Sequence, residues 1–296
     1  MTEGDWLAER FEEHRERLRA AAYRMLGSLA EADDAVQEAW IRLSRTGASD
    51  VENLGGWLTT VVSRVCLDML RSRKTRREEP LGPYLPDPAA DSEKAPDPEQ
   101  EVLLADSVGL ALQVVLESLT PAERLAFVLH DMFGLPFEEI APIVDRTPVA
   151  AKKLASRARQ RVRGAAPSPD PDLAGQRRVV EAFEAASRDG DFEALLTVLD
   201  PDVVLRTDGG VLTGGLQIAR GATVVARQAS AFRRAAATGI VTRSVLVNGA
   251  AGVVSTMNGI PFSVLSFTIA HGRIVEIDIL SDPDRLSRLD LADFAD

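Results

Sequence analysis

The sequence predicts a multidomain protein: two all-α domains, a helical bundle and a helix-turn-helix, are followed by an α+β domain. Three patterns support this prediction. Apolar residues recur at three- and four-residue steps near the N-terminus, a capped basic helix follows a short helix near residue 147, and apolar and polar residues alternate over 240–280. A length of 296 residues fits two or three domains, and 45% hydrophobic with 27% charged residues fits ordinary globular cores.

The first domain, residues 1–77, is predicted to be a bundle of three amphipathic helices. The apolar repeats cover about residues 7–25, 31–45 and 54–73. Residues 78–101 then hold six prolines and eight acids against one lysine, which predicts an extended linker with little to bury.

The second domain, residues 102–164, carries specific helix-start signals. Thr120 and Glu123 have the spacing of a capping box, with proline at the first helical position, and Gly134 ends that helix. A short helix from Phe137, a tight turn and a second capped helix from Thr147 form the outline of a helix-turn-helix. Residues 165–172 are a second predicted linker.

The third domain, residues 173–296, is predicted to be α+β. Two helices precede a curved antiparallel meander of four strands, with the helices on one side. The expected turns are Asn248-Gly249, Asn258-Gly259 and His271-Gly272, because residues in tight hairpin turns need positive φ.

The net charge of −11 is unevenly distributed. Residues 64–77 hold six bases and one acid, residues 146–163 hold seven bases and no acid, and the rest of the chain carries −23. The basic helix from residue 148 has an apolar stripe and a cationic outer face, as a DNA recognition helix requires, although a solvated helix face has the same composition. Likewise, the cations after Arg71 fit a DNA-backbone contact or a helix C-terminus. The acids of residues 31–38 fit a protein-docking surface or a favourable helix N-terminus.

Three motifs in order resemble the sigma-70 family of initiation factors. Glu31-Ala-Asp-Asp-Ala-Val-Gln-Glu-Ala-Trp-Ile-Arg-Leu43 resembles its polymerase-binding segment, and Asn53-Leu-Gly-Gly-Trp57 through Arg73 resembles the adjoining −10 segment. Leu119 through Arg163 resembles the −35-binding helix-turn-helix. With the acidic linker between them, these motifs are similar to those of the small extracytoplasmic-function (ECF) sigma factors.

The resemblance implies three sets of binding residues. Those facing core RNA polymerase, at its β′ clamp helices, would be Asp33, Asp34, Gln37, Glu38 and Trp40; the β flap is a further expected contact. Those on the −10 DNA would be Asn53, Trp57, Arg64, Arg71, Arg73, Lys74, Arg76 and Arg77. Those on the −35 DNA would be Thr147, Lys152, Lys153, Ser156 and Arg157.

The remainder resembles the SigJ-like subfamily, in which a SnoaL-like (NTF2-like) cone-shaped domain is fused to the sigma factor and modulates it. The resemblance rests on short motifs in the first linker, after the second C-terminal helix and near the end of the chain. The regulatory residues it implies are Tyr84, Leu85, Pro86, Asp208, Gly209, Gly210, Asp282, Pro283, Asp284 and Leu286. The acids near Asp282 could dock on the first linker or on the basic helices.

The cone of the third domain could bind a small ligand or carry out catalysis, with Arg206, Asp208 and His271 as candidate polar groups. Alternatively, Asp208 shapes a turn and His271 occupies a hairpin tip. Two rivals to an initiation factor are a ligand-responsive regulator that binds DNA without polymerase, and an enzyme with a helical adaptor.

The composition also carries expectations about location and cofactors. One cysteine, Cys66, and three scattered histidines exclude a disulfide framework and make a metal site unexpected. No apolar run approaches the roughly 18 residues of a membrane span. We expect a cytoplasmic protein without a cofactor.

Overall fold

The computed structural model describes residues 3–46, 53–76, 85–91, 109–165, 169–210, 215–235, 239–291 and 294. The described residues form two compact units. The first draws on residues 1–79 and 115–165, and the second on residues 80–114 and 166–296. Within the described ranges, no helix is both long and apolar enough to cross a membrane.

The first unit begins with the predicted three-helix bundle. Its helices are α1 (Glu3–Leu26), α2 (Leu29–Thr46) and α3 (Leu54–Arg76). The apolar stripes of all three helices face one another, and their innermost members are fully buried, among them Phe11, Met25, Ala35, Leu43 and Leu58. Cys66 lies in this core, where burial raises the pKa of its thiol.

The next helices that the structure describes are α4 (Leu110–Glu117), which begins in the second unit and ends in the first, and then α5 (Pro121–Phe127), α6 (Phe137–Ile140) and α7 (Pro148–Ala165). The predicted capping box is confirmed: Thr120 Oγ1 accepts a hydrogen bond from Glu123 N–H, and Glu123 Oε2 accepts one from Thr120 N–H at 3.2 Å. The helix it starts does not continue as an α-helix to Met132 as expected. It changes to a π-helical turn over Val128–Met132, and Gly134 ends it at φ 69°.

In the second unit, the described residues form one seven-stranded sheet in the order β1-β4-β5-β6-β7-β2-β3. The strands are β1 (Ala90–Asp91), β2 (Leu199–Asp208), β3 (Leu216–Arg220), β4 (Ile240–Val247), β5 (Ala250–Met257), β6 (Ile260–Ala270) and β7 (Arg273–Leu280). Strands β4 to β7 are the predicted meander. Its turn residues Asn248, Asn258 and His271 have φ of 51–54°, each followed by a positive-φ glycine.

The sheet is larger than the sequence predicted. β2 pairs with β7 in parallel and with β3 antiparallel, and neither pairing was predicted. The helices α8 (Leu173–Asp189), α9 (Phe192–Val198) and α10 (Ala222–Ala235) contribute to the main apolar core with one face of the sheet, and α10 was also not predicted. The opposite face packs against the C-terminal segment, through Leu286 of α11 (Pro283–Leu286), Leu291 and Phe294.

Candidate polymerase and promoter interfaces

The acidic surface of α2 projects from the bundle. Ala32, Ala35, Val36 and Ala39 are buried, so Asp33, Asp34 and Gln37 on the remaining arc are exposed. Asp33 forms an ion pair with Arg19 of α1 at 2.6 Å, and Glu38 forms one with Arg42 at 2.9 Å. The half-buried Trp40 ring packs 5.1 Å from the Phe11 ring. Asp33, Asp34 and Gln37 are therefore the exposed members of the predicted polymerase-binding set, and Glu38 and Trp40 are half-buried.

Several side chains that were predicted to contact the −10 DNA have contacts within the first unit. Asn53 caps α3, since its Oδ1 accepts a hydrogen bond from Gly56 N–H at 3.0 Å. Arg73 is partly buried, forms an ion pair with Glu31 and donates to the Leu26 carbonyl at 3.1 Å. Arg64 is exposed and Trp57 half-buried. The side chains of Lys74 and Arg76, and the whole of Arg77, lie outside the described residues.

The helix-turn-helix presents its second helix as the sequence predicted. Asp145 adopts φ 54° in the turn, and Thr147 Oγ1 accepts a hydrogen bond from Ala150 N–H at 3.3 Å, which caps α7. The inner face is formed by small buried residues, which allow close helix packing: Ala151, Ala155 and Ala158. The outer face is exposed and carries Lys152, Lys153, Ser156 and Arg157.

Two other cations of α7 hold the helix in place. Arg159 binds Asp131 at 2.8 Å, and Arg161 binds Glu123 at 2.9 Å. Burial raises the pKa of Glu123, but the hydrogen bonds from Thr120 and the charges of Arg161 and Arg157 outweigh it and lower that pKa overall. The lysines of α7 therefore lie on its exposed face, while ion pairs from Arg161 and Arg159 hold the helix against α5 and the π-helical turn.

The bundle and the helix-turn-helix pack together inside the first unit. Arg124 of α5 is buried and donates to the Met25 carbonyl at 2.8 Å and to Glu117 at 2.8 Å. Arg71 of α3 pairs with Asp145 in the turn before α7 at 3.3 Å. The predicted −10 and −35 segments thus belong to one compact body.

In the second unit, the first linker docks on the α+β domain. Leu85 is fully buried, and its N–H donates to Asp208 Oδ2 at 3.0 Å. β1 pairs with β4, and Ala89 N–H donates to Asn248 Oδ1 at 2.9 Å. The expectation of little burial in this linker is therefore wrong for residues 85–90, and β1 at the end of this segment pairs with the edge of the sheet.

Arg285 is the centre of this docking and was absent from the predicted site residues. Its guanidinium binds Asp208 Oδ2 at 2.8 Å, Asp87 Oδ1 at 2.6 Å and the Leu85 carbonyl at 2.6 Å. Asp282 caps α11 by accepting from Asp284 N–H at 2.9 Å, which sets the helix that presents Arg285. We call Leu85, Asp87, Asp208 and Arg285 the linker clamp.

The remaining predicted regulatory residues surround the linker clamp. Gly210 has φ 71°, and a Cβ there would overlap the Asp282 carboxylate, which explains the glycine. Leu286 is buried in the core on the outer sheet face, while Pro283 and Asp284 are exposed. Pro86 is buried beside Leu85; Tyr84 lies outside the described residues.

A cavity of about 270 Å³ lies between the sheet and helices α8 and α10. Among the described residues, Arg206, Asp208 and His271 do not line it, so the expectation that they serve a site in the cone is wrong. Leu205 and Thr207 line it instead, because successive strand residues face opposite sides of a sheet.

The three rejected candidates have structural contacts of their own. Arg206 pairs with Glu276 at 2.8 Å and Asp278 at 2.9 Å on the other sheet face. Burial raises the pKa of Asp278 to about 6, although the Arg206 charge lowers it. His271 forms the β6–β7 turn, where the Asp170 carboxylate accepts its N–H at 3.0 Å. In the described part of the chain, no cluster of His, Cys, Asp or Glu could hold a metal ion.

Comparison with known proteins identifies both helical domains. Residues 10–76 match Sigma-70 region 2 and residues 109–162 match Sigma-70, region 4. The chain is 36% identical over 292 residues to the probable ECF RNA polymerase sigma factor SigI of Mycobacterium tuberculosis H37Rv, covering 98% of each chain. It is 36% identical over 291 residues to the ECF sigma factor SigJ of that organism, covering 94% of this chain and 92% of SigJ.

The fold agrees over nearly the whole length. The crystal structure of M. tuberculosis ECF sigma factor SigJ matches with a TM-score of 0.76 and 31% identity, covering 96% of this chain and 99% of that one. The predicted fold class, helical sigma domains followed by an α+β domain, is confirmed.

Sigma regions 2 and 4 on one chain define a transcription initiation factor, the class of protein that binds core RNA polymerase and promoter DNA. The chain belongs to the ECF RNA polymerase sigma factors.

Proposed function

We propose that α2 binds the β′ clamp helices of core polymerase, that α3 opens the −10 element and that α7 reads the −35 element, with the helix-turn-helix domain contacting the β flap. Exposed Asp34 and Gln37 support the first assignment. Exposed Lys152, Lys153 and Arg157 on a capped helix support the reading of a major groove. The protein would act in the cytoplasm, with its polymerase.

We further propose that the described conformation is a closed one. The −10 and −35 elements lie, by their names, about 25 base pairs apart, or about 85 Å along B-form DNA. A compact unit of about 130 residues has a radius of gyration of about 14 Å, and so does not reach both elements. The contacts of Arg124 with Met25 and of Arg71 with Asp145 would therefore break when the factor engages a promoter.

The linker clamp would control that opening. The docked segment 85–91 lies in the chain between the two helical domains, so its docking shortens the free chain that joins them. Arg285 carries this proposal: one side chain bonds the Leu85 carbonyl, Asp87 and Asp208 at once. A docked linker favours the closed state, and a released linker lets the helical domains separate.

Transcription by core polymerase from a promoter with both elements tests the regulation. Arg285→Ala should raise run-off product about threefold or more, since it releases the linker. Arg288→Ala, an exposed arginine on the same segment, is the matched control and should leave transcription unchanged. Equal product from the full chain, Arg285→Ala and Arg288→Ala would contradict the proposal that the linker clamp controls transcription. Less product from Arg285→Ala than from the full chain would show that the docked linker promotes transcription instead of restraining it.

A small ligand is the third proposed partner, and it would occupy the cavity between the sheet and α8 and α10. Of the described residues that line this cavity, Glu184 is the one ionisable side chain. Catalysis by paired acid and base groups therefore has less support than ligand binding.

A further inference from the structure

We infer that the cavity of the α+β domain binds a mostly apolar small molecule that carries no acidic group and bears one hydroxyl or carbonyl group, and that its occupancy strengthens docking of the linker. The second half of this inference rests on the proposed function of the linker clamp. The first half rests on the cavity alone.

The size and lining of the cavity set the class of ligand. Its volume of about 270 Å³ is just below the roughly 300–1,000 Å³ of drug-sized ligand sites, which indicates a small ligand. The wall is largely apolar, formed by Phe183, Leu205, Val225, Phe232, Val253, Phe262, Leu265, Ile277 and Ile279. Phe232 lines the cavity and is 47% exposed, which places its ring, stacked 5.9 Å from that of Phe262, at the opening.

One buried polar group inside this wall lacks a partner among the residues that the structure describes. Ser187 of α8 is 4% exposed and lines the cavity, and its Oγ has no hydrogen bond to any described residue. A buried hydroxyl without a hydrogen bond is unfavourable, so such groups are rare, and a ligand in the cavity is one partner that would satisfy this one. The Ser187 hydroxyl both donates and accepts, so a ligand hydroxyl or carbonyl would satisfy it.

The charge of the lining excludes an acidic ligand. The side chain of Glu184 is the ionisable one among the described lining residues, and the lining contains no lysine, arginine or histidine to offset an anion. An anionic ligand would therefore be desolvated without a cationic side chain in the described lining, which is unfavourable.

The strands that line the cavity end at the linker clamp. Thr207 lines the cavity, and the next residue, Asp208, binds Leu85 N–H and Arg285. Ser281 also lines it, and its N–H donates to the Asp208 carbonyl at 2.7 Å. A ligand packed against Thr207 and Ser281 would hold the ends of β2 and β7 together, and so favour the geometry that docks the linker.

Binding of 2-naphthol to the full chain, followed by fluorescence, tests the ligand class. It should bind, and the anionic analogue naphthalene-2-sulfonate should bind at least tenfold more weakly. Ser187→Ala should weaken 2-naphthol binding about fivefold while leaving naphthalene, which lacks the hydroxyl, unaffected. Ser230→Ala is the matched control, because Ser230 is also buried and its Oγ has no partner within the described ranges, but it does not line the cavity. No binding of 2-naphthol, equal binding of the sulfonate, or equal effects of the two serine variants would overturn the assignment.

Hydrogen exchange of the Leu85 and Ala89 amides tests the coupling to the linker clamp. With 2-naphthol bound, both amides should exchange more slowly in the full chain, and the effect should vanish in Arg285→Ala although the ligand still binds. Binding without slower exchange would overturn the coupling and leave the ligand class standing. If exchange slows but Arg285→Ala transcribes like the full chain, the proposed function fails and the cavity assignment stands.

Discussion

Asp208 Oδ2 lies 2.8 Å from Arg285 Nη1, an ion pair between residues 77 positions apart that also binds the first linker. The same carboxylate oxygen accepts from Leu85 N–H at 3.0 Å, while Arg285 donates to the Leu85 carbonyl. Both backbone polar groups of Leu85 are thus satisfied by the α+β domain. The linker between two DNA-binding domains is therefore part of the third domain's structure.

Asp34→Lys should weaken binding of the chain to core polymerase at least tenfold, since it reverses the charge of an exposed acid on α2. Glu16→Lys, an exposed acid of α1, is the control for the same change of net charge. Binding is measured by fluorescence anisotropy with labelled chain. Equal affinities of the two variants would show that α2 is not the docking surface.

Lys153→Ala should reduce the salt dependence of promoter-complex formation. The slope of log K against log salt becomes shallower by about 0.9 for each phosphate that the protein no longer neutralises. Arg188→Ala, an exposed arginine of the α+β domain, should leave the slope unchanged. The slope is measured with the polymerase holoenzyme between about 50 and 200 mM salt, a range over which such contacts are resolved. If Lys153→Ala leaves the slope unchanged, this lysine does not contact the DNA phosphates.

Arg73 and Arg64 should behave differently, although the sequence assigned both to the −10 DNA. Arg73→Ala should lower the free energy of unfolding by about 1–2 kcal/mol, because it leaves the Leu26 carbonyl and Glu31 without their donor. Arg64→Ala should leave stability within about 0.5 kcal/mol and weaken promoter opening, since its side chain is exposed. Denaturant unfolding and a promoter-opening assay distinguish the two variants. A loss of stability in Arg64→Ala together with unchanged stability in Arg73→Ala would contradict these contacts.

Asp278 should make the α+β domain more stable in mild acid. Burial raises its pKa to about 6 from the ordinary value of 3.8, so the folded state binds this proton more tightly than the unfolded state. Its contribution increases as pH falls through 6 and is complete below about 4, reaching at most about 3 kcal/mol. The difference in unfolding free energy between the full chain and Asp278→Asn, measured at pH 7 and pH 5, should favour the full chain more at pH 5. A pH-independent difference would contradict the raised pKa.

Local chemistry made the helices and hairpins predictable. The Thr120–Glu123 capping box, the Thr147 cap and the Asn-Gly turns each depend on residues at most three positions apart, so their spacing is visible in the sequence. The exposed face of α7 was equally predictable from the sequence, since buried alanines and cations occupy different faces of the helix at helical spacing.

Long-range pairing was not predictable in the same way. Arg285 and Asp87 are 198 positions apart, and an acidic, proline-rich segment has the composition of a solvated linker even where it pairs with a sheet edge. The sequence analysis expected Arg206 and Asp208 to line the cavity, but Leu205 and Thr207 line it. Alternate residues of a strand face opposite sides of the sheet, and composition does not reveal which side faces the helices. The parallel β2–β7 pair joins strands distant in sequence and has no local signature.

The distance between α2 and α7, measured by energy transfer between labels on Ser44→Cys and Gln160→Cys, tests the closed state most directly. Both positions are exposed, and buried Cys66 will not compete for the labels. The closed conformation predicts a short distance between the two labels, within about 40 Å, in the free chain. It predicts a longer distance in the polymerase–promoter complex, and a larger open population of the free chain when Arg285 is replaced by alanine. The same distance in the free chain, in the promoter complex and in the Arg285→Ala chain would contradict it.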